Sequence, residues 1–210
     1  MGKQLRIWPF VPLGSQLTST SLLAEGVITM TTSKAVGETI GLYIEANGNI
    51  AIEGAQEAGQ ASAYGSKDYT IKSQVVVIRG DVKSLNCGES ELTSLNLSQN
   101  TALTSLECSY NQLTSLDVSK NTALTKLDCC CNQLTSLNIS KCARLEVLFC
   151  FSNCINGEAM TKLVNSLPNR KGESSGTLRV VSRSSKKSDK NRCSAADITT
   201  AKKKNWEVRQ

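Results

Sequence analysis

One spacing limits this chain more than any other feature: a short pattern recurs every 21 residues through its middle. Leu103, Leu106, Cys108, Asn111, Leu113, Leu116 and Val118 are followed, 21 positions on, by Leu124, Leu127, Cys129, Asn132, Leu134, Leu137 and Ile139. An earlier copy runs Val82, Leu85, Cys87, Ser90, Leu92, Leu95 and Leu97. A later one runs Leu145, Leu148, Cys150, Asn153 and Ile155, and breaks at Gly157. A unit this short cannot bury its own apolar face. Successive units must stack and share one continuous core.

The pattern L-x-x-L-x-C-x-x-N-x-L is that of a leucine-rich repeat, a solenoid of parallel strands. Around Leu106-Glu107-Cys108 the side chains alternate, so Leu106 and Cys108 point inward while Ser105 and Glu107 point out. Coils stack strand on strand about 4.8 Å apart, which aligns equivalent residues into columns. The Asn at 111, 132 and 153 follows each strand, where its amide can bond the backbone turning the corner. Leu113, Leu116 and Val118 repeat the spacing on the return path. The unit leaves no room for a helix there, so the return wall is expected to be mostly extended.

The flanks have other periods. Strand-like stretches at Val27–Thr32, Thr39–Glu45, Ile50–Glu53 and Tyr69–Ile78 are separated by small residues such as Asn47-Gly48-Asn49. They are expected to form a β-rich N-terminal cap over the first leucine layer. Met160, Leu163, Val164 and Leu167 follow helical spacing and stop at Pro168. Leu178–Val181 reads as a strand, Ser194 with Asp197 as a capping box with Ala195, Ile198 and Ala201 inward, and Trp206–Val208 as a last strand. The expected division is a leader or disordered segment at 1–27, the β-rich cap at 28–80, the array at 81–156 and an α/β C-terminal cap at 157–210. The loop Ser182–Arg192 is the stretch least suited to order.

The stretch LTSLECSYNQLTSLDVSKNTALTKLDCCCNQLTSLNIS resembles the short repeats of leucine-rich-repeat surface proteins of gut-type bacteria, distantly similar to internalins. The flanks TTSKAVGETIGLYIEANGNIAIEG and MTKLVNSLPNR look like the caps of that group. The resemblance covers residues 28 to 208 or so. It implies an exported or lipid-anchored protein at the cell surface or secreted, though no signal peptide or lipobox cysteine is visible. Ile7–Leu13 carries two prolines and is too short for a secretory core, and no run of about 18 apolar residues encodes a transmembrane segment.

Charge is uneven. Of the chain's 24 Lys and Arg, 12 fall between Pro168 and Gln210, against 4 Asp and Glu. No aromatic interleaving or nucleic-acid motif accompanies them, so Lys186, Lys187, Lys190 and Arg192 read as a solvated loop and no nucleic-acid partner is expected. There is no His, which removes Ser-His-Asp and Cys-His catalysis and His-containing zinc sites. Cys87, Cys108, Cys129 and Cys150 share one inward column. Their parallel Cβ vectors stay too far apart for an easy bridge, so they read as free apolar fillers. Cys130 and Cys131 replace Ser109 and Tyr110 and are expected at exposed positions; Cys142 takes an Asn place, and Cys154 and Cys193 could pair. Neither a metal nor a cofactor is called for.

The outward strand positions are Ser84 and Asn86, Ser105 and Glu107, Lys126 and Asp128, Val147 and Phe149, with Tyr110 and Phe151 just beyond their strands. Glu107 and Asp128 are column neighbours, as in a retaining glycosidase, but repetition places like residues side by side and no enclosing pocket is indicated. The reading is therefore no enzyme. Glu107, Tyr110, Lys126, Asp128, Phe149 and Phe151 are the candidate ligand contacts, for a protein or glycan partner, unless the C-terminal cap covers the two Phe. The alternative is a structural spacer within a larger envelope protein.

Overall fold

The computed structural model describes residues 26–61, 65–182 and 189–209. Among these, the strands are β1 Val27–Thr32, β2 Thr39–Glu53, β3 Ala55–Ala61, β4 Lys67–Ile71, β5 Val75–Asn86, β6 Leu92–Asn96, β7 Ser105–Glu107, β8 Lys126–Asp128, β9 Val147–Phe149, β10 Gly176–Arg179 and β11 Trp206–Arg209. Two helices, α1 Gly157–Ser166 and α2 Ala195–Lys203, stand in the C-terminal segment. The main sheet has the order β11-β10-β9-β8-β7-β5-β2-β4-β3 and does not close on itself.

From β5 to β9 the strands are parallel and step by one repeat. Leu85, Leu106, Leu127 and Leu148 lie in register, and all four are fully buried. The return path contains Leu113, Leu116 and Val118 and their equivalents, also buried. It carries no helix. Only in the first coil is it a strand, β6, because β1 lies antiparallel along it as well as along β5. Among the described residues later coils have no such partner on that side, and a strand without a ladder is not formed.

Repetition also satisfies the corners. The Asn111 amide donates to the Cys87 and Cys108 carbonyls at 3.0 and 3.1 Å, while its Oδ1 accepts from the Ser90 and Leu92 N–H groups. Asn132 repeats this with Cys108, Cys129 and Leu113, and Asn153 with Cys129, Cys150 and Leu134. A second column holds Asn121, which donates to the Leu97 and Asn100 carbonyls, and above it Cys142, whose thiol reaches the Val118 and Asn121 carbonyls. Buried backbone carbonyls in a coil need such partners, since an unpaired one costs about 1–3 kcal/mol.

In the N-terminal segment the strands expected at 39–45 and 50–53 are one, β2, because the chain crosses Asn47–Asn49 as an irregularity against β5 rather than a break. The stretch expected as Tyr69–Ile78 is two strands, β4 and β5. In the C-terminal segment α1 buries Met160, Leu163 and Val164 and ends as Leu167 turns extended before Pro168. The α2 capping box is formed reciprocally between Ser194 and Asp197. Its buried face is Asp197 and Ala201, with Ile198 half-buried and Ala195 exposed, contrary to expectation. Asp197 is turned inward because it also accepts the Thr161 hydroxyl of α1 at 2.9 Å.

Residues 189–191 depart from the expected loop as well, whereas 183–188 lie outside the described residues. Asp189 and Asn191 are buried. Asn191 donates to the Cys150 and Val180 carbonyls, each at 2.8 Å, and accepts the Ile155 N–H at 2.7 Å. It is the next rung after Asn153, reached 38 positions later instead of 21.

Candidate functional site

Two outward columns cross the sheet on its strand face. One holds Ser84, Ser105, Lys126, Val147 and Thr177; the other holds Tyr43, Asn86, Glu107, Asp128, Phe149, Arg179 and Arg209. Register alone assembles them, since residue i of each strand stands beside its equivalent on the next. The second column is acidic in its middle and basic toward the C-terminal edge.

Four expected contact residues lie in these columns: Glu107, Lys126, Asp128 and Phe149. The Lys126 ammonium pairs with Glu107 Oε1, and the Asn86 amide donates to Glu107 Oε2 at 3.0 Å. Asp128 Oδ1 accepts the Cys130 N–H at 3.0 Å. Both carboxylates thus hold local structure on an open sheet. The ion pair is partly solvated, so its contribution to stability is small, about 0–1 kcal/mol.

Tyr110 and Phe151 stand past the ends of their strands. Tyr110 is 57% exposed. Its φ of 54° is left-handed, and Glu89, Cys131 and Ser152, its equivalents in the stack, share that conformation. This is costly for non-glycine residues and marks the tight corner out of the strand. The neighbouring Cys131 thiol pushes the Tyr110 phenol above the usual tyrosine range. Phe149 and Phe151 are half-buried, and the Arg179 guanidinium lies 4.4 Å from the centre of the Phe151 ring. Arg179 and Tyr43 were not singled out by the sequence reading. The outward phase of Tyr43 was legible in Ile40-Gly41-Leu42-Tyr43, but its pairing with Asn86 was not.

The nine cysteines are free, Cys154 and Cys193 included. Cys87, Cys108, Cys129 and Cys150 are fully buried, and burial raises each thiol, Cys87 to about 12. Cys130 corrects the sequence reading: it is 3% exposed. The inward–outward alternation ends at Cys129, and the corner at Cys131 turns Cys130 into the stack between Ser109 and Phe151. Cys131 remains half-exposed. Among the described residues no group of three or more His, Cys, Asp or Glu is placed to hold a metal ion.

No protein-family model matches the chain, and no curated protein does. Among solved structures it is similar to the functional domain of InlJ from Listeria monocytogenes, which includes a cysteine ladder, at 27% identity over 47% of this chain with a TM-score of 0.39. It is also similar to the internalin InlF from Listeria monocytogenes, at 20% identity over 53% of this chain with a TM-score of 0.41. The matches span 20% and 29% of those two chains. Both superpositions are partial; the solenoid itself rests on the strand register and the stacked columns of this chain. Among the described residues no helix is long and apolar enough to cross a membrane.

Proposed function

We propose that this chain is a non-catalytic recognition or adhesion module of a bacterial cell surface, attached there or secreted. In this reading the array at 81–156 presents its strand face to a protein or glycan, while 28–80 and 157–210 close its two ends. One observation carries the proposal: register brings Glu107, Lys126, Asp128 and Phe149 together on one open face, flanked by the exposed Tyr110 and by Phe151. Aromatic anchors among oriented charges are what a recognition patch needs, since a few large groups supply most binding energy. The engagement of Glu107 by Lys126 and Asn86 speaks against a glycosidase pair. A second reading, a structural spacer, is favoured by Arg179 lying over Phe151, which occupies one anchor from within.

The test is a binding screen of the purified protein against extracellular proteins and glycans, followed by Tyr110→Ala and Phe149→Ala. Recognition predicts loss of binding with little change in melting temperature, while Thr114→Ala and Ser136→Ala on the return wall keep it. If Phe149→Ala instead unfolds the C-terminal end, and Tyr110→Ala binds as before, the patch has no anchor and the spacer reading takes its place.

A further inference from the structure

We infer that a solvent-open cavity of about 370 Å³, lying between β2 and the corner that follows β5, binds a neutral saccharide. The observation that points to a ligand is Gly41. It occupies an outward position in the interior of β2, between the outward Thr39 and Tyr43 and flanked by the buried Ile40 and Leu42. Glycine weakens a strand there, and it is normally explained by a bulge, a left-handed backbone, a crowding neighbour or a ligand that comes close. The pairing from Thr39↔Thr70 to Leu42↔Lys67 is regular, so there is no bulge. The φ of Gly41 is not positive. A Cβ built on it meets only Asp68 Oδ1, at an ordinary 3.7 Å. What the missing side chain does leave is room, because Gly41 lines the cavity.

The lining sets the ligand class. Tyr43, 37% exposed, lines the cavity and offers an aromatic ring as a flat apolar surface. Lys34 and Glu89, neither of which forms an ion pair with a described residue, line it too, as do the hydroxyl residues Thr39 and Ser109. Vicinal hydroxyls of a sugar both donate and accept, so one ring can use a cation, an anion and two hydroxyls while its C–H face covers Tyr43. The volume is at the lower end of small-molecule sites and suits one or two sugar units. The cavity borders Tyr110, since Ser109 precedes that residue and Glu89 is its equivalent one coil earlier, but Tyr110, Phe149 and Phe151 do not line it and it does not depend on their role.

The experiment is saturation-transfer NMR with isothermal titration, using glucose, galactose, mannose, N-acetylglucosamine and their disaccharides as probes on the whole chain. At least one sugar should bind saturably, in the millimolar range or tighter. Gly41→Val adds a β-branched residue at an outward strand position, so it should melt no lower than the parent while weakening that sugar by about tenfold or more. Tyr43→Ala should weaken it likewise, and Ser136→Ala on the return wall should leave it unchanged. No saturable sugar, or a folded Gly41→Val that binds like the parent, would overturn the inference. So would a free amino acid that binds where sugars do not, since the opposed charges of Lys34 and Glu89 would then be reading a zwitterion.

Discussion

The array and the C-terminal segment build the same wall from different sequence. In the array every coil uses 21 residues, and one column supplies Leu106, Leu127 and Leu148, the next Cys108, Cys129 and Cys150. Beyond Gly157 the period is lost, helices replace the return path, and Leu178 and Val180 take over those two columns. Strand register nevertheless continues to β11, and the corner hydrogen bonds continue as far as β10 through Asn191. The period is therefore one way of meeting a geometric requirement. What the sheet demands is an inward apolar residue, a paired backbone and a donor at each corner, and Asn191 meets the last demand from outside the period. One further contact fastens the segment to the array: the buried Arg170 guanidinium reaches the Leu145 carbonyl at 3.3 Å. Within the segment Trp206 packs against Gly176, where a Cβ would lie only 2.7 Å from the indole.

The comparison breaks most visibly at the leucines. Leu127 lies between Leu106 and Leu148, and Leu178 between Leu148 and Val208. If the wall is continuous, Leu127→Ala and Leu178→Ala each leave a cavity and each cost about 2–5 kcal/mol, measured by denaturant unfolding. A Leu178→Ala loss no larger than that of Ser105→Ala would make the C-terminal segment an appendage.

Corner asparagines come next. Asn132→Ala and Asn191→Ala each strip buried backbone groups of their partners, and each should cost about 1–3 kcal/mol despite their different sequence settings. A silent Asn191→Ala, alongside a damaging Asn132→Ala, would confine the ladder to the periodic coils.

The smallest effect per group separates the regions rather than joining them. Burial holds the column thiols protonated, with Cys87 raised to about 12 and Cys108, Cys129 and Cys150 raised as well. In the unfolded chain a thiol ionises near pH 8.5. Their folded pKa values being the higher, the stability they confer is intact below about pH 8.5 and is lost as pH climbs from there toward the folded values, at up to about 1.4 kcal/mol per thiol per pH unit. Melting temperature should fall between pH 8 and 10, less steeply in Cys108→Ala, whereas Val180 contributes no such slope. A flat profile would mean that the thiols are not buried as described. Alkylation of the native protein should reach the half-exposed Cys131 before the buried Cys130.

How much was legible follows from the same contrast. Wherever the 21-residue period held, inward and outward faces could be assigned residue by residue, and Leu127, Cys129 and Asn132 stand as read. The Ser194–Asp197 box was readable because capping is local. Asn191 was not, because nothing local distinguishes it from the polar residues around it; only Cys150, Val180 and Ile155 define its role. Cys130 was misplaced because it lies two residues past the end of its strand, where the place it shares with Ser109 was taken as exposed. In the candidate site, Glu107, Lys126, Asp128 and Phe149 were placed by phase alone. Tyr43 and Arg179 arrive through strand pairings that no period announces, and the stacking of Arg179 on Phe151 depends on them.

That a single continuous stack carries the strand face, with Phe149 from one region and Arg179 from the other, can be tested in one unfolding experiment. In a Trp8→Phe background Trp206, 2% exposed at the far end of the sheet, is the remaining tryptophan. Its fluorescence and the far-ultraviolet strand signal of the whole sheet should then be followed through the same thermal transition. A continuous stack predicts coincident curves with one midpoint, as for a two-state unit. Loss of the Trp206 signal in a separate, earlier transition, with the strand signal intact, would show that the C-terminal segment folds apart from the array and would contradict the account.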